Sequence, residues 1–293
     1  MDVLVTGGTG FIGTHLCREL ADRGHDVTAL SRTPDGADLP DGVATATGDV
    51  TAYDSIEAHF EGRDAVVNLV ALSPLFKPKG GDERHFEVHF KGTQNVVAAA
   101  EEHGVRKLVQ MSGVHADPDA PTAYLAAKGR AEQAVRDADL AWTVLRPTVV
   151  FGDGDEFQGF VKLLTTPVVT ALPGADTPYQ LLWVGDLVAM VAEALDGAHD
   201  GETYELGGPE ELTLAEITRL VYRAEGKSVT VIPVPLPLAG VGLTLADPLP
   251  FVPFGRDQYR SLRDFELVVA ENDAGALDVE TDEMRTFGGY LGV

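Results

Sequence analysis

The sequence predicts an α/β fold, with a doubly wound parallel sheet over residues 1–150 and a smaller substrate-facing α/β region over 151–293. Three observations carry this expectation. A β-branched run, DVLVT (2–6), stops at a cluster of glycines that opens a helical segment. Short apolar runs then alternate with helical segments up to residue 147. Beyond about residue 150 the alternation gives way to loop-like stretches and shorter elements. Strands separated by helices of this length need right-handed crossovers, which make a parallel sheet whose ligand crevice lies at the carboxyl ends of the strands.

The elements follow in order. FIGTHLCRELADRG (11–24) spaces its apolar residues at Ile12, Leu16 and Leu20 and meets a C-terminal stop at Gly24. DVTALS (26–31) is the second strand and GVATATGDV (42–50) a weaker third, with a short helix near 53–60. DAVVNLVAL (64–72) is a continuous apolar run, as a strand covered on both faces requires. A helix is expected over about 83–103, a strand over 107–112 and a helix near 122–137. AWTVLRP (141–147) ends the series at its proline. In the second half, 184–197 reads as an amphipathic helix and TYELGG (203–208) as a strand with a turn. LTLAEITRLVYRAEG (212–226) opens on a capping-box spacing, Thr213 to Glu216. Some of these later segments are expected to return to the first sheet.

Composition narrows the function classes. The chain has 22 basic and 46 acidic residues, a net charge of −24, and the acids are spread along its length. A nucleic-acid partner needs a basic footprint and is excluded on this ground. Such self-repulsion is tolerated where salt screens it, so a salt-adapted protein is expected. The start, MDVLVTGG, has no basic n-region, and no stretch of eighteen uninterrupted apolar residues occurs, so neither a secretory signal nor a membrane span is predicted. A single cysteine, Cys17, forms no internal disulfide and reads as a small buried helix residue. It fits a cytoplasmic location. No metal site is predicted.

The turn after the first strand reads TGGTGFIG, with Gly7, Gly10 and Gly13 spaced G-x-x-G-x-x-G. Glycines let the backbone turn sharply and approach a pyrophosphate, and the helix N-terminus supplies amide donors and partial positive charge. Thr9, Phe11 and Ile12 complete this candidate cofactor turn. The second strand ends ALSRTPDG, so Ser31 and Arg32 stand where an acidic residue would accept from an NAD ribose. A hydroxyl followed by a guanidinium suits a 2′-phosphate, which favours NADP(H) over NAD(H); the alternative is that Arg32 is a solvated surface residue.

The spacing of these glycines resembles the short-chain dehydrogenase/reductase superfamily, and TGGTGFIG looks like its extended and atypical branches. YLAAK (124–128), after the fifth strand, is the second half of that resemblance. The resemblance implies adenine contacts from Asp49 and Val50. It also places Leu69, Val70 and Ala71 along the nearby ribose edge and Pro147 at the cofactor. Tyr124 and Lys128 lie four apart on one helical face. A free tyrosine is too weak an acid for proton transfer at neutral pH, and a nearby ammonium is expected to lower its pKa. In the resembled superfamily the lysine also holds the nicotinamide ribose while the tyrosine donates to the substrate carbonyl.

Two positions depart from that pattern. Ser112 aligns with a structural serine, which leaves Gly113 where the catalytic Ser or Thr is normally found. A glycine cannot offer a side-chain donor to a developing oxyanion. Ser112 is retained as a catalytic candidate should its loop be shifted, and His115 is either a second donor or a loop residue. In HFKGTQNVV (89–97), His89 stands in place of an asparagine that supports a water path to the lysine. It reads either as a polar substitute or as a packed helix histidine. This mixture is similar to atypical members related to the 39 kDa accessory subunit of respiratory complex I, as are RPTVVFG, LLWVGDLVAMVAEAL and GGPEELTLAEI.

Finally, VIPVPLPLAGVGLTLADPLPFVPFG (231–255) is apolar but contains six prolines and Asp247, so it cannot span a bilayer as a helix. It reads as a folded part of the second region. The alternative is a wall for an apolar, quinone-like small molecule or a surface for a protein partner. The expected function is an NADP(H)-binding carbonyl/alcohol oxidoreductase. The rivals are a non-catalytic NADPH-binding accessory protein of a respiratory or quinone-biosynthesis assembly and, third, a sugar-nucleotide epimerase or dehydratase.

Overall fold

A computed structural model describes residues 1–235 and 267–293. Seven parallel strands form its central sheet: β1 (Asp2–Thr6), β2 (Asp26–Ser31), β3 (Ala44–Thr47), β4 (Ala65–Asn68), β5 (Lys107–Met111), β6 (Ala141–Pro147) and β11 (Glu202–Leu206). Their order is β11-β6-β5-β4-β1-β2-β3, so the winding reverses between β1 and β4. A crevice opens at such a switch point, outside the carboxyl ends of the strands.

The period-two pattern of the strands explains why the sheet is covered on both sides. Val3, Val5, Ala29, Val67 and Val109 face one core, filled by helix α1 (Phe11–Asp22) and by the later helix Val184–Glu193. Leu4, Leu30, Val66, Leu108 and Val144 face the other, beneath the helices Gly92–Glu102 and Ala123–Arg136. Both β11 and the helix Val184–Glu193 come from beyond residue 150 yet complete the first sheet and its cover. A third core gathers Phe151, Phe157, Phe160, Tyr179, Ile217, Val221 and Phe287 around short two-stranded pairings: β7 (Val150–Phe151) with β10 (Leu182–Trp183), β8 (Val168–Pro173) with β13 (Val229–Val234), and β9 (Pro178–Gln180) with β12 (Glu211–Thr213). The helix Leu214–Ala224 begins with the expected capping box between Thr213 and Glu216.

Two elements differ from expectation. The apolar run 64–72 is a strand only as far as Asn68, because the Asn68 side chain turns the chain out of the sheet by accepting from Val70 N (3.4 Å). The helix expected over 83–103 is not uniform: a short α segment Glu83–His85 passes through a π turn, Phe86–Lys91, before the regular helix Gly92–Glu102. Most of the apolar segment 231–255 lies outside the described residues.

Candidate active site

The glycine turn is built to bring backbone close to a ligand. Gly7 has φ +78°, and a Cβ on it would stand 3.2 Å from Val70 N and 3.3 Å from the Leu69 carbonyl carbon. The loop carrying Leu69, Val70 and Ala71 therefore lies directly against the turn. A Cβ on Gly13 would come within 2.3 Å of Gly7 O, so only glycine lets α1 start this close to the strand. Thr9 and Gly10 lie on the rim of the turn, with Phe11 and Ile12 half-buried beside them. At the end of β2 the Ser31 hydroxyl is buried with no hydrogen-bond partner, beside exposed Arg32. An orphaned hydroxyl there, together with a glycine cradle, fits a bound dinucleotide.

Asp49 and Val50 follow β3. The Asp49 carboxylate accepts from Thr51 N and Oγ1 (2.9 and 2.8 Å). Partial burial pushes its pKa up, but these bonds and the charges of Arg32 and Arg84 leave it below its ordinary value. Val50 is buried against Gly92, and its carbonyl accepts from Asn95 Nδ2 (2.7 Å).

The Tyr124–Lys128 corner sits at the first turn of the helix Ala123–Arg136, which is capped by Thr122 accepting from Leu125 N. The Tyr124 ring is half-buried. Lys128 is 2% exposed, its Nζ lies 6.0 Å from the Tyr124 ring centroid, and it donates to Met111 O (2.9 Å). Desolvation pulls the Lys128 pKa down to about 8, with the Glu132 charge opposing it. The expectation that the ammonium lowers the Tyr124 pKa is corrected: burial pushes the phenol up to about 12. The Lys128 charge is weakened by its own burial and directed at the Met111 carbonyl, so desolvation dominates at Tyr124. Tyr124 is a protonated donor at neutral pH.

Hydrogen bonds tie Lys128 back to the glycine-turn strand. Met111 O also accepts from Gln110 Nε2 (3.0 Å), Gln110 Oε1 accepts from Asn68 Nδ2 (2.9 Å), and Asn68 Oδ1 accepts from Thr6 Oγ1 (2.6 Å). Asn68 was not anticipated as a site residue, although one polar residue inside the apolar run AVVNLV was a usable signal. Glu132, four residues past Lys128, was also missed. It is 1% exposed in its side chain, bonded by Arg146 and Arg136, and accepts from Ser112 Oγ (2.5 Å). The Ser112 hydroxyl is thus engaged beneath the site by Glu132.

Gly113 occupies the position facing the tyrosine: a Cβ there would stand 3.7 Å from Tyr124 Oη and 4.0 Å from Pro147 O. His89 lies in the π turn with its ring edge-on to Tyr124 at 5.3 Å and stacked on His85 at 5.5 Å, and His85 is also edge-on to Tyr124 at 5.7 Å. Burial, then the charges of Lys128 and His85, holds the His89 pKa well below its ordinary value. Its Nε2 accepts from Leu72 N (3.4 Å), which leaves Nδ1 to carry the proton of the neutral ring. His115 stands in a left-handed turn, φ 63°, in the loop after β5.

Residues 7–167 match the family model described as NAD(P)H-binding. This chain belongs to the NAD(P)H-binding short-chain dehydrogenase/reductase family. One relative, 2-alkyl-3-oxoalkanoate reductase of Stenotrophomonas maltophilia, is 31% identical over 77% of this chain and 76% of its own length. A second, mitochondrial NADH dehydrogenase [ubiquinone] 1 alpha subcomplex subunit 9 of Arabidopsis thaliana, is 28% identical over 80% of this chain, which spans 60% of that relative's length. Among solved structures, a nucleoside-diphosphate-sugar epimerase from Staphylococcus aureus superposes over 100% of both chains with a TM-score of 0.77 at 19% identity, a likeness of fold. Tyr124 and Lys128 lie four residues apart on one helix, with glycine at position 113 beside them. No helix among the described residues is long and apolar enough to cross a membrane, and no group of metal-ligating side chains occurs among them.

Proposed function

We propose that this protein is an NADP(H)-dependent reductase of a carbonyl group on an apolar small molecule. The observation that carries the reading is the pairing of Tyr124 with buried Lys128, four residues on along one helix, at the switch-point crevice beside the glycine turn. NADPH, when bound, supplies the hydride to the carbonyl carbon. Gly7, Gly10 and Gly13 hold the pyrophosphate, Ser31 and Arg32 the 2′-phosphate, and Lys128 the nicotinamide ribose. Tyr124 gives its proton to the oxygen as negative charge develops there. The 31% identical reductase supports a carbonyl substrate. The alkyl groups in that relative's name support an apolar one.

A second reading, a non-catalytic NADPH-binding accessory protein, is favoured by two observations: the glycine opposite Tyr124 and the likeness to a respiratory-complex subunit. One experiment separates them. NADPH binding and turnover are measured on a carbonyl and quinone panel, at low and molar salt because the acidic surface supports a salt-adapted protein. For the enzyme, Tyr124→Phe lowers kcat/KM by about 10²- to 10⁴-fold while NADPH affinity stays unchanged. Tight NADPH binding with no turnover on any member overturns the reductase in favour of the accessory role.

A further inference from the structure

We propose that the backbone amide of Gly113 is the second donor to the substrate oxygen, acting with Tyr124 where no side-chain hydroxyl is present. This rests on the reductase reading above and adds a catalytic group to it.

The direction of this amide follows from the register of the sheet. Ser112 N and Val114 N donate to Leu145 O and Pro147 O at 2.7 and 3.3 Å, so both point toward β6. Successive amides of a strand point to opposite edges, which turns Gly113 N–H toward β4. The pairing of β4 with β5 runs from Ala65 opposite Lys107 to Asn68 opposite Gln110, and if continued it would offer Val70 O to this N–H. The chain leaves the sheet first. Leu69 N donates to Thr6 O on the β1 side (3.0 Å), and Val70 lies against the glycine turn. Gly113 is buried, and among the described residues its N–H has no hydrogen-bond partner. Buried amides are nearly always paired, so an orphan at the carboxyl end of a strand points to a ligand.

Tyr124 faces the same place. A Cβ on Gly113 would stand 3.7 Å from Tyr124 Oη, and the amide nitrogen is bonded to the same Cα, so it lies at most about 6 Å from that hydroxyl. One oxygen between the two can take a hydrogen bond of about 3 Å from each. The peptide unit is also fixed. Gly113 O accepts from Ala116 N (3.2 Å), and Ser112 Oγ donates to Glu132 Oε1 (2.5 Å), whose carboxylate is bonded by Arg136 and Arg146. A donor held in place before the reaction stabilises developing charge without reorganising. As hydride adds to the carbonyl carbon, the π electron pair moves onto the oxygen. Tyr124 supplies the proton, while Gly113 N–H keeps its own and holds the charge.

The test replaces the Ser112–Gly113 peptide bond by an ester, which removes the N–H and adds no bulk, and sets it beside Gly113→Ala, which keeps the N–H. The substrate is the member of the carbonyl and quinone panel, ethyl acetoacetate included, that the wild type reduces fastest. In the ester protein kcat is expected to fall about 10²-fold while the NADPH dissociation constant stays within about twofold. Gly113→Ala is expected to keep kcat within about threefold, because its Cβ stands at ordinary contact distance and the donor remains. A readout without turnover is the infrared carbonyl stretch of the same substrate bound with NADP⁺. Two donors lower it in the wild type, and the ester brings it back toward its value in apolar solvent. A kcat and a stretch that the ester leaves unchanged, or a fall in kcat matched by lost NADPH affinity, overturn the inference and leave the reductase reading standing. A wild type that binds NADPH and reduces no member of the panel overturns that reading, and the inference with it.

Discussion

The cofactor end and the catalytic corner of this crevice are assembled by different means. At the cofactor end the work falls to backbone: a turn with φ +78° at Gly7, a helix start that touches Gly7 O, and a loop at Val70 pressed against both. At the Tyr124–Lys128 corner the work falls to side chains, set beside Gly113, His89 in a π turn and Ser112 bonded to Glu132. A binding site made of backbone admits few substitutions at Gly13, where any Cβ meets Gly7 O at 2.3 Å. A catalytic corner made of side chains can lose one donor while its scaffold stays intact.

The sharpest way to break the first half of that comparison is Gly13→Ala. The added Cβ meets Gly7 O at 2.3 Å and Gly8 at 2.7 Å, both backbone, so the turn must open. Loss of NADPH affinity by at least about 100-fold is expected, since misplacing the amides and helix terminus removes several contacts at once. The affinity is read by fluorescence titration, with a lowered Tm as the accompanying sign. Retained affinity in a folded Gly13→Ala protein would mean that the turn does not hold the pyrophosphate.

The second half is sharpened by restoring what is missing. A Cβ at Gly113 lies at ordinary contact distance from Tyr124 Oη, 3.7 Å, with no backbone in the way. Gly113→Ser therefore places a hydroxyl next to the proton donor without strain. The expected outcome is a rise in kcat of about 10- to 100-fold on a carbonyl substrate, below the full value of a preorganised oxyanion donor. An unchanged kcat, with NADPH binding intact, would show that the reacting oxygen does not sit between residues 113 and 124.

These two positions also explain what the sequence revealed. The strands, the glycine turn and Y-x-x-x-K were legible because hydrophobic periodicity and glycine spacing are local properties. β11 was legible as a strand, but its place beside β6 is a tertiary fact that no local pattern encodes. The π turn at Phe86–Lys91 was hidden because six residues are too few for a change of period to show in the apolar pattern. The direction of the Tyr124 shift is not legible in the sequence for a related reason. Four-residue spacing brings Lys128 near, yet whether its charge or the burial of both groups prevails depends on the Met111 carbonyl, thirteen residues away from Tyr124 in the chain and on another element.

The smallest expected effect addresses the contrast through stability. Lys128 is buried with its pKa pulled down to about 8, so the folded protein holds this proton less tightly than the unfolded chain, whose lysine titrates near 10.5. The sign follows: between those values the unfolded state binds more protons, so this group's contribution to stability rises with pH through that window, and its full cost is present below pH 8. Replacing Lys128 with Met removes the cost along with the bond to Met111 O. A gain of about 1–2 kcal/mol at pH 7 is expected, read as a Tm increase of a few degrees that shrinks as pH approaches 10.5. Activity should fall at the same time, because the proposed function assigns Lys128 to the ribose. A variant less stable than wild type at pH 7, or with a gain independent of pH, would mean that the Met111 bond outweighs desolvation. The lysine would then belong to the scaffold as much as to the chemistry.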